Sequence, residues 1–389
     1  MTAVRGVVRI FRVPKPIGWV SGISVLISVG AVAAALVTTI IILAATGNDP
    51  GNALNAIADG ALSSSYALSA TVAKTVPRLL AALGIALALR AGLYNIGAEG
   101  QIYVGGIMAA LVAVMGPFTG PGALILTLVA SAAAGALWGA IPGVLRAKRG
   151  VSEVITSLML VYIAIRLTNY LLEGPWLVPG STFPATKPVP TSTALPTLAT
   201  GTLFNAGALI ALAAVPFVAF LMRRTVFGLR LDAIGGNTSA ASAAGMNVGR
   251  MIIVVMAVSG AFAGLAGSIE VLGVRGQLLE GFSSNYGFDA IAIALLGRLN
   301  PLGILGAALL FGALDAGGTG LQATAGEALP AGIVPTVEGL AMLYVLMGLG
   351  ASQIIERRRR AKSQLRAQDE ETAEKPAVES KHTKVALDG

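Results

Sequence analysis

"RAGLYNIGAEGQIYVGG", residues 90–106, interrupts a chain that is otherwise close to hydrocarbon. Arg90, Asn95, Glu99 and Gln101 stand here among glycines 92, 97, 100, 105 and 106, between two strongly apolar stretches. Holding Glu99 or Arg90 at membrane depth costs about 2.5–3.5 kcal/mol each on insertion scales. Glycine at this density also breaks a helix. Irregular backbone inside a membrane is stable only where protein or a water-filled cavity satisfies its polar groups. The stretch therefore predicts a discontinuous membrane helix whose break lines a cavity.

Composition places the rest of the chain in the same solvent. The 389 residues are 55% hydrophobic and only 12% charged, with a mean hydropathy of +0.79, against about 25% charged residues in soluble domains. Ten apolar spans are expected, at 19–44, 76–89, 102–115, 123–145, 152–172, 204–222, 251–272, 286–296, 302–316 and 333–351. The second, third and eighth are short for a crossing of about 20 residues. The fold class is thus an all-α polytopic membrane protein of about ten helices, some of them broken. The first span is too long for a signal-peptide core and is read as an uncleaved helix. Among the 49 glycines, "GAFAGLAG" (260–267) has the spacing that lets helix backbones approach closely in lipid. The absence of cysteine excludes disulfides, thiolate catalysis and cysteine metal sites. The single histidine, His382, falls in a charged tail and is read as solvated.

Charge sets the expected orientation. Arg5, Arg9, Arg12 and Lys15 precede the first span; Arg146, Lys148 and Arg149, then Arg223, Arg224, Arg230 and Arg250, then Arg298 and Arg357–Arg360 occupy every second loop. The intervening loops are almost free of basic residues. By the positive-inside bias both termini are cytoplasmic. The net charge of +8 is mostly this bias and needs no nucleic-acid partner. The chain divides into a cytoplasmic segment 1–18, a transmembrane domain 19–355 and a charged, disordered cytoplasmic tail 356–389.

The opening break has a counterpart. "GQLLEGFSSNYGFDAIAIALLGRLNPLG" (276–303) is again a glycine-rich polar break followed by a short apolar helix. Two such breaks entered from opposite sides are the mark of inverted-repeat transporters, whose path runs between the repeats. The candidate path residues are Tyr94, Asn95, Glu99, Gln101, Asn285, Tyr286, Phe288 and Asp289. Aromatics and amides at a path suit a flat base with a polar ribose, and equally a sugar. The structural alternative is that the glycines only permit close packing while Glu99 pairs with an arginine.

Between the sixth and seventh spans, "RRTVFGLRLDAIGGNTSAASAAGMNVGR" (223–250) is too polar to cross a bilayer and too patterned for a simple turn. "NTSAASAAGMNV" predicts a short helix with Asn237 or Thr238 at its N-cap and Gly245 just past its end. A short helix on the cytoplasmic face suits docking into a groove of another protein.

Three stretches, "LYNIGAEGQIYVGG" (93–106), "GLRLDAIGGNTSAASAAGMNV" (228–248) and "GFDAIAIALLGRLNPLGILGAALLFGAL" (287–314), together resemble the permease subunits of bacterial ABC importers for branched-chain amino acids, ribose-type sugars and nucleosides. The form "LYNIGAEGQ" is most similar to the nucleoside and simple-sugar branch. The resemblance spans about residues 72–353. It implies a multi-pass subunit of the bacterial plasma membrane that pairs with a second, related permease in preference to a copy of itself. It also implies cytoplasmic ATPase subunits that hold ATP and Mg, and an extracytoplasmic binding lipoprotein that delivers substrate. On this resemblance 230–247 is the segment that couples to the ATPase, with Arg230, Asp232, Asn237, Ala241, Gly245 and Asn247 as its candidate contacts. The chain carries no Walker A sequence, so any ATP is hydrolysed on other chains, and no cofactor is expected on this one. The alternative from another class is a carrier driven by an ion gradient, with Glu99 and Asp289 as ion sites; such a carrier has no use for the 230–247 segment. An intramembrane enzyme lacks support, because neither an HExxH motif nor a histidine within a span is present. The Pro/Thr-rich loop 173–203 carries no family signal, and its Trp176 is read as an interfacial anchor.

Overall fold

The computed structural model describes residues 50–178 and 183–325, with scattered helical residues between 30 and 44 and between 336 and 348. The expected spans at 19–44 and 333–351, the N-terminal segment and the charged tail therefore lie wholly or largely outside the described residues. A side-chain contact of 2.8 Å joins Thr38 Oγ1 to Tyr344 Oη.

The described elements are helices: α1 (Pro50–Leu62), α2 (Ser65–Arg90), α3 (Ala98–Ala113), α4 (Pro121–Arg149), α5 (Glu153–Glu173), α6 (Ala206–Arg224), α7 (Val226–Gly236), α8 (Thr238–Ala243), α9 (Val248–Ile269) with a π-helical turn Glu270–Arg275, α10 (Tyr286–Leu296) and α11 (Pro301–Ala325). Among the described residues six segments are long and apolar enough to cross a membrane: α2, α4, α5, α6, α9 with its π turn, and α11. Helices α3 and α10 are apolar but shorter. At 1.5 Å per residue they reach only about 24 and 16 Å, less than a hydrocarbon core of about 30 Å.

Two expectations are corrected. The second span is not short: α2 starts at Ser65, capped by the Ser64 hydroxyl, and runs 26 residues. Its polar first half hid it from a hydropathy reading. Its apolar part is 89% buried, against 22–28% for α4, α5 and α6, and in its polar first half Ser69, Thr71 and Thr75 are buried while Ser65 is exposed and Lys74 half-buried. The loop 45–70 also contains a helix, α1, which packs on α11.

The core is built by exchange between the two halves of the chain. Helix α2 packs on α10 and α11, while α9 packs on α3 and α4. The α4–α9 contact is nearly bare backbone. A Cβ placed on Gly264 would lie 2.9 Å from Gly135 Cα, and one on Gly260 would lie 3.2 Å from Gly139 Cα. Gly105 of α3 meets Gly264 from the other side, at 2.6 Å on the same measure. The glycines of "GAFAGLAG" thus do what their spacing implied: without side chains, backbones supply the dispersion contacts that hold helices together in lipid.

Gly264→Leu forces three backbones apart and falls at or beyond the upper end of overpacking costs, about 3 kcal/mol. Its folded yield in detergent, followed by size-exclusion fluorescence, is expected to collapse. Gly122→Ala, with nothing within 4 Å of the new atom, is expected to match the parent.

Candidate functional site

The two breaks enter from opposite sides. The first follows the C-terminus of α2, which rests on α7: the bidentate Arg90–Asp232 pair joins them, with Arg90 Nη2 2.8 Å from Asp232 Oδ2. Gly92, at φ +74°, turns the chain there against Gly235. The second break follows the π turn and lies under the Pro/Thr-rich loop. Thr186 N–H donates to the Leu278 carbonyl (3.0 Å) and Val189 N–H to the Gly276 carbonyl (2.8 Å). One crossing helix, α6, separates that loop from α7, so the breaks open towards opposite ends of the bundle. Arg90 is accordingly not stranded in the bilayer; it pairs at the edge of the link.

Between these entrances the short helices α3 and α10 begin against each other. A Cβ on Gly287 would lie 2.8 Å from the Ala98 carbonyl carbon. Each N–H in the first turn of α10 can be accounted for. Tyr286 N–H donates to the Ser283 carbonyl (3.0 Å), and Phe288 and Asp289 N–H donate to the Asn285 carbonyl (3.0 and 3.1 Å). Gly287 N–H donates to Glu99 Oε2 at 2.7 Å. Asn285, at φ +67°, supplies no side-chain cap, so Glu99 caps α10 from another helix. Because Glu99 is also in the first turn of α3, one carboxylate faces two positive helix ends.

Around this junction the expected polar residues close on one another. Asn95 Nδ2 donates to Gln101 Oε1 (2.9 Å) and Ser259 Oγ (2.8 Å), and Gln101 Nε2 donates to Asn95 Oδ1 (3.1 Å). Asp289 accepts from Arg78 Nε at 2.9 Å, so the arginine partner belongs to Asp289 and not to Glu99. Asn95, Glu99, Gln101, Tyr286 and Asp289 are buried together, Tyr94 and Phe288 are half-buried, and Asn285 is exposed.

Sequence reading missed the charged partners. Arg78, 1% exposed, also contacts Asp315 (Nη2–Oδ2 2.9 Å) and the Lys74 carbonyl (3.1 Å), with its guanidinium 4.5 Å from the Tyr286 ring centroid. Lys74 reaches Asp315 at 2.6 Å. In the π turn, residues five apart align, and Arg275 Nε donates to buried Glu270 at 3.0 Å. The available signal was a charge inside an apolar span, present at Arg78, Glu270 and Asp315.

On the link, Asn237 caps α8 through Ser239 and Ala240 N–H, and Asn247 caps α9 through Arg250 N–H. Gly245 follows α8 at φ +81° and Arg230 is exposed. Ala241, taken as a partner contact, is 4% exposed and packs into the protein's own core; the outward positions of α8 are Thr238, Ser239, Ala240, Ser242 and Ala243.

The family model for branched-chain amino acid transport system / permease component matches residues 67–351. The chain belongs to that family. It is 37% identical to the glucose ABC transporter permease protein TsgB13 of Haloferax volcanii over 81% of this chain and 85% of that protein. It is 36% identical to the guanosine ABC transporter permease protein NupP of Bacillus subtilis over 78% of this chain and 88% of that protein. A second protein of that organism, the guanosine ABC transporter permease protein NupQ, is 30% identical over 64% of this chain and 80% of its own length. No solved structure matches. Membership makes the chain a multi-pass membrane protein, in keeping with the six crossing-length helices among the described residues.

Glu99 separates a cap from a path residue. Leucine leaves Gly287 N–H buried and unpaired, a loss of about 1–3 kcal/mol, whereas glutamine keeps an acceptor. Folded yield is expected to fall several-fold in Glu99→Leu and to stay within twofold of the parent in Glu99→Gln. Uptake by Glu99→Gln, measured per folded molecule, is expected to drop further than its yield.

Proposed function

We propose that this chain is the permease subunit of an ATP-driven importer and forms one side of the translocation path for nucleosides or sugars. The single observation that carries the reading is the docked link. Helices α7 and α8 form an ordered pair whose Asp232 grips the end of α2 at the first break, and whose α8 presents small residues outward. A gradient-driven carrier has no use for such a platform, while an importer powered by separate ATPases needs one. The relatives named as ABC transporter permease proteins for glucose and guanosine support both the energy source and the solute class.

The finer architecture follows the same reading. Ten crossings with both termini in the cytoplasm agree with the basic clusters closing α4 and α6. The exchange of α2 and α9 between halves, with breaks at opposite ends, supports an inverted repeat. An ATP sandwich of two nucleotide-binding subunits needs two docking platforms related by a rotation axis, so two permeases assemble. That Bacillus subtilis has two guanosine permease proteins, NupP and NupQ, both similar to this chain, favours a heterodimer. A binding protein on the outer face delivers the solute.

Reconstitution with the ATPases, the binding protein and the second permease tests the reading. Uptake of guanosine or glucose is expected to require ATP and to survive ionophores that collapse ion gradients. Ala240→Glu and Ala243→Arg, which place charge on the outward face of α8, are expected to release the ATPase subunits on purification while the permease stays inserted. Gradient-dependent uptake, or full ATPase retention in both variants, contradicts it.

A further inference from the structure

Four of the residues first taken to line the path already have partners inside the protein: Asn95 with Gln101 and Ser259, Glu99 with Gly287, Asp289 with Arg78. A second polar layer differs, because it is open on one side. It comprises two ion-paired groups, Lys74 and Arg78 of α2 with Asp289 of α10 and Asp315 of α11, and Glu270 with Arg275 in the π turn; Glu270 lies within electrostatic reach of Arg78 and Lys74. Arg78 and Glu270 are 1% exposed at their side chains, but Lys74 is 24%, Asp315 15% and Arg275 35% exposed. Thr319, bonded to Lys74 Nζ at 3.0 Å, is exposed as well. All of these but Asp289 sit in segments of crossing length and composition. Charge turned to lipid at such depth is costly, so this face borders water or another polar surface.

Glu270 Oε1 takes the Arg275 guanidinium, while Oε2 is buried behind it with no hydrogen-bond partner among the described residues, out of reach of a solute. The composition of the layer indicates what meets it. The layer balances three basic against three acidic groups, so it offers no excess charge to hold a phosphate or a cation. It offers ammonium, guanidinium and hydroxyl donors beside carboxylate acceptors, the mixture that pairs with hydroxyl groups, which both donate and accept.

We propose that the face bounded by Lys74, Asp315 and Thr319 on one side and by Glu270 and Arg275 on the other is a solute-contact site of the translocation path. It takes the hydroxyls of a neutral polyhydroxylated solute. The site rests on the importer reading above and adds a second layer of contacts beside the breaks.

The natural absence of cysteine makes the test direct. Thr319→Cys and, separately, Arg275→Cys are introduced into the full transporter in proteoliposomes and exposed to a charged, water-soluble thiol reagent. Leu137→Cys, 72% exposed on α4, is the dry control. Both site variants are expected to react at least tenfold faster than the control, and guanosine or glucose with binding protein is expected to slow them at least threefold, while leucine at equal concentration does not. Site cysteines as unreactive as the control place the face in lipid or in a permease–permease contact and overturn the site. Protection by leucine as strong as by either polyhydroxylated solute overturns its chemistry. ATP-independent uptake by the parent protein in the same vesicles would instead remove the importer reading, with the labelling result standing on its own.

Discussion

One carboxylate holds the interior together. Glu99 accepts from the backbone of Gly287 where α3 and α10 start side by side. Two helix N-termini brought together in a dry interior present unsatisfied N–H groups to one another. A single side-chain acceptor between them turns that meeting into a joint. The neighbouring backbone completes the fit, since Gly287 has no side chain to keep α10 away from Ala98 and Glu99. Both breaks, and the helices packed on them, depend on that closure.

The joint links opposite ends of the molecule. On one side the chain leads from Glu99 back through 91–97 to Arg90 and the Arg90–Asp232 pair on the link. On the other, the segment 276–285 leads from α10 to the π turn, held under the Pro/Thr-rich loop by main-chain bonds at Thr186, Val189 and Leu195. That loop, silent in sequence, is a fitted cover, and Trp176 at its start packs against the core. A displacement of the link acts on the first break through a short, hydrogen-bonded route, the kind of contiguous path along which conformational coupling is carried.

How much of this was legible depended on range. Local signals served well: the cap at Asn237, the turn at Gly245, the small-residue stripe at Gly260 and Gly264, and the breaks within 90–106 and 276–303, which fall at 91–97 and 276–285, all reflect rules acting within a few residues. Two kinds of feature were out of reach. Hydropathy failed at Ser65–Thr75 because the rule describes helices in lipid, and here Ser69, Thr71 and Thr75 are buried against other helices. Pairings such as Arg78 with Asp289 and Asp315 span more than two hundred positions, and only the tertiary fold brings them together. Ala241 shows a smaller limit, since in a six-residue helix composition does not reveal which side faces inward.

The assembled transporter, with its ATPases and second permease in a lipid nanodisc, can be imaged directly by electron cryo-microscopy. The account predicts density placing α8 in a groove of an ATPase subunit, Glu99 on the N-terminus of α10, and the Lys74–Asp315–Arg275 face on the central cavity between the permeases. A map in which α8 points into solvent and that face lies against lipid would contradict it.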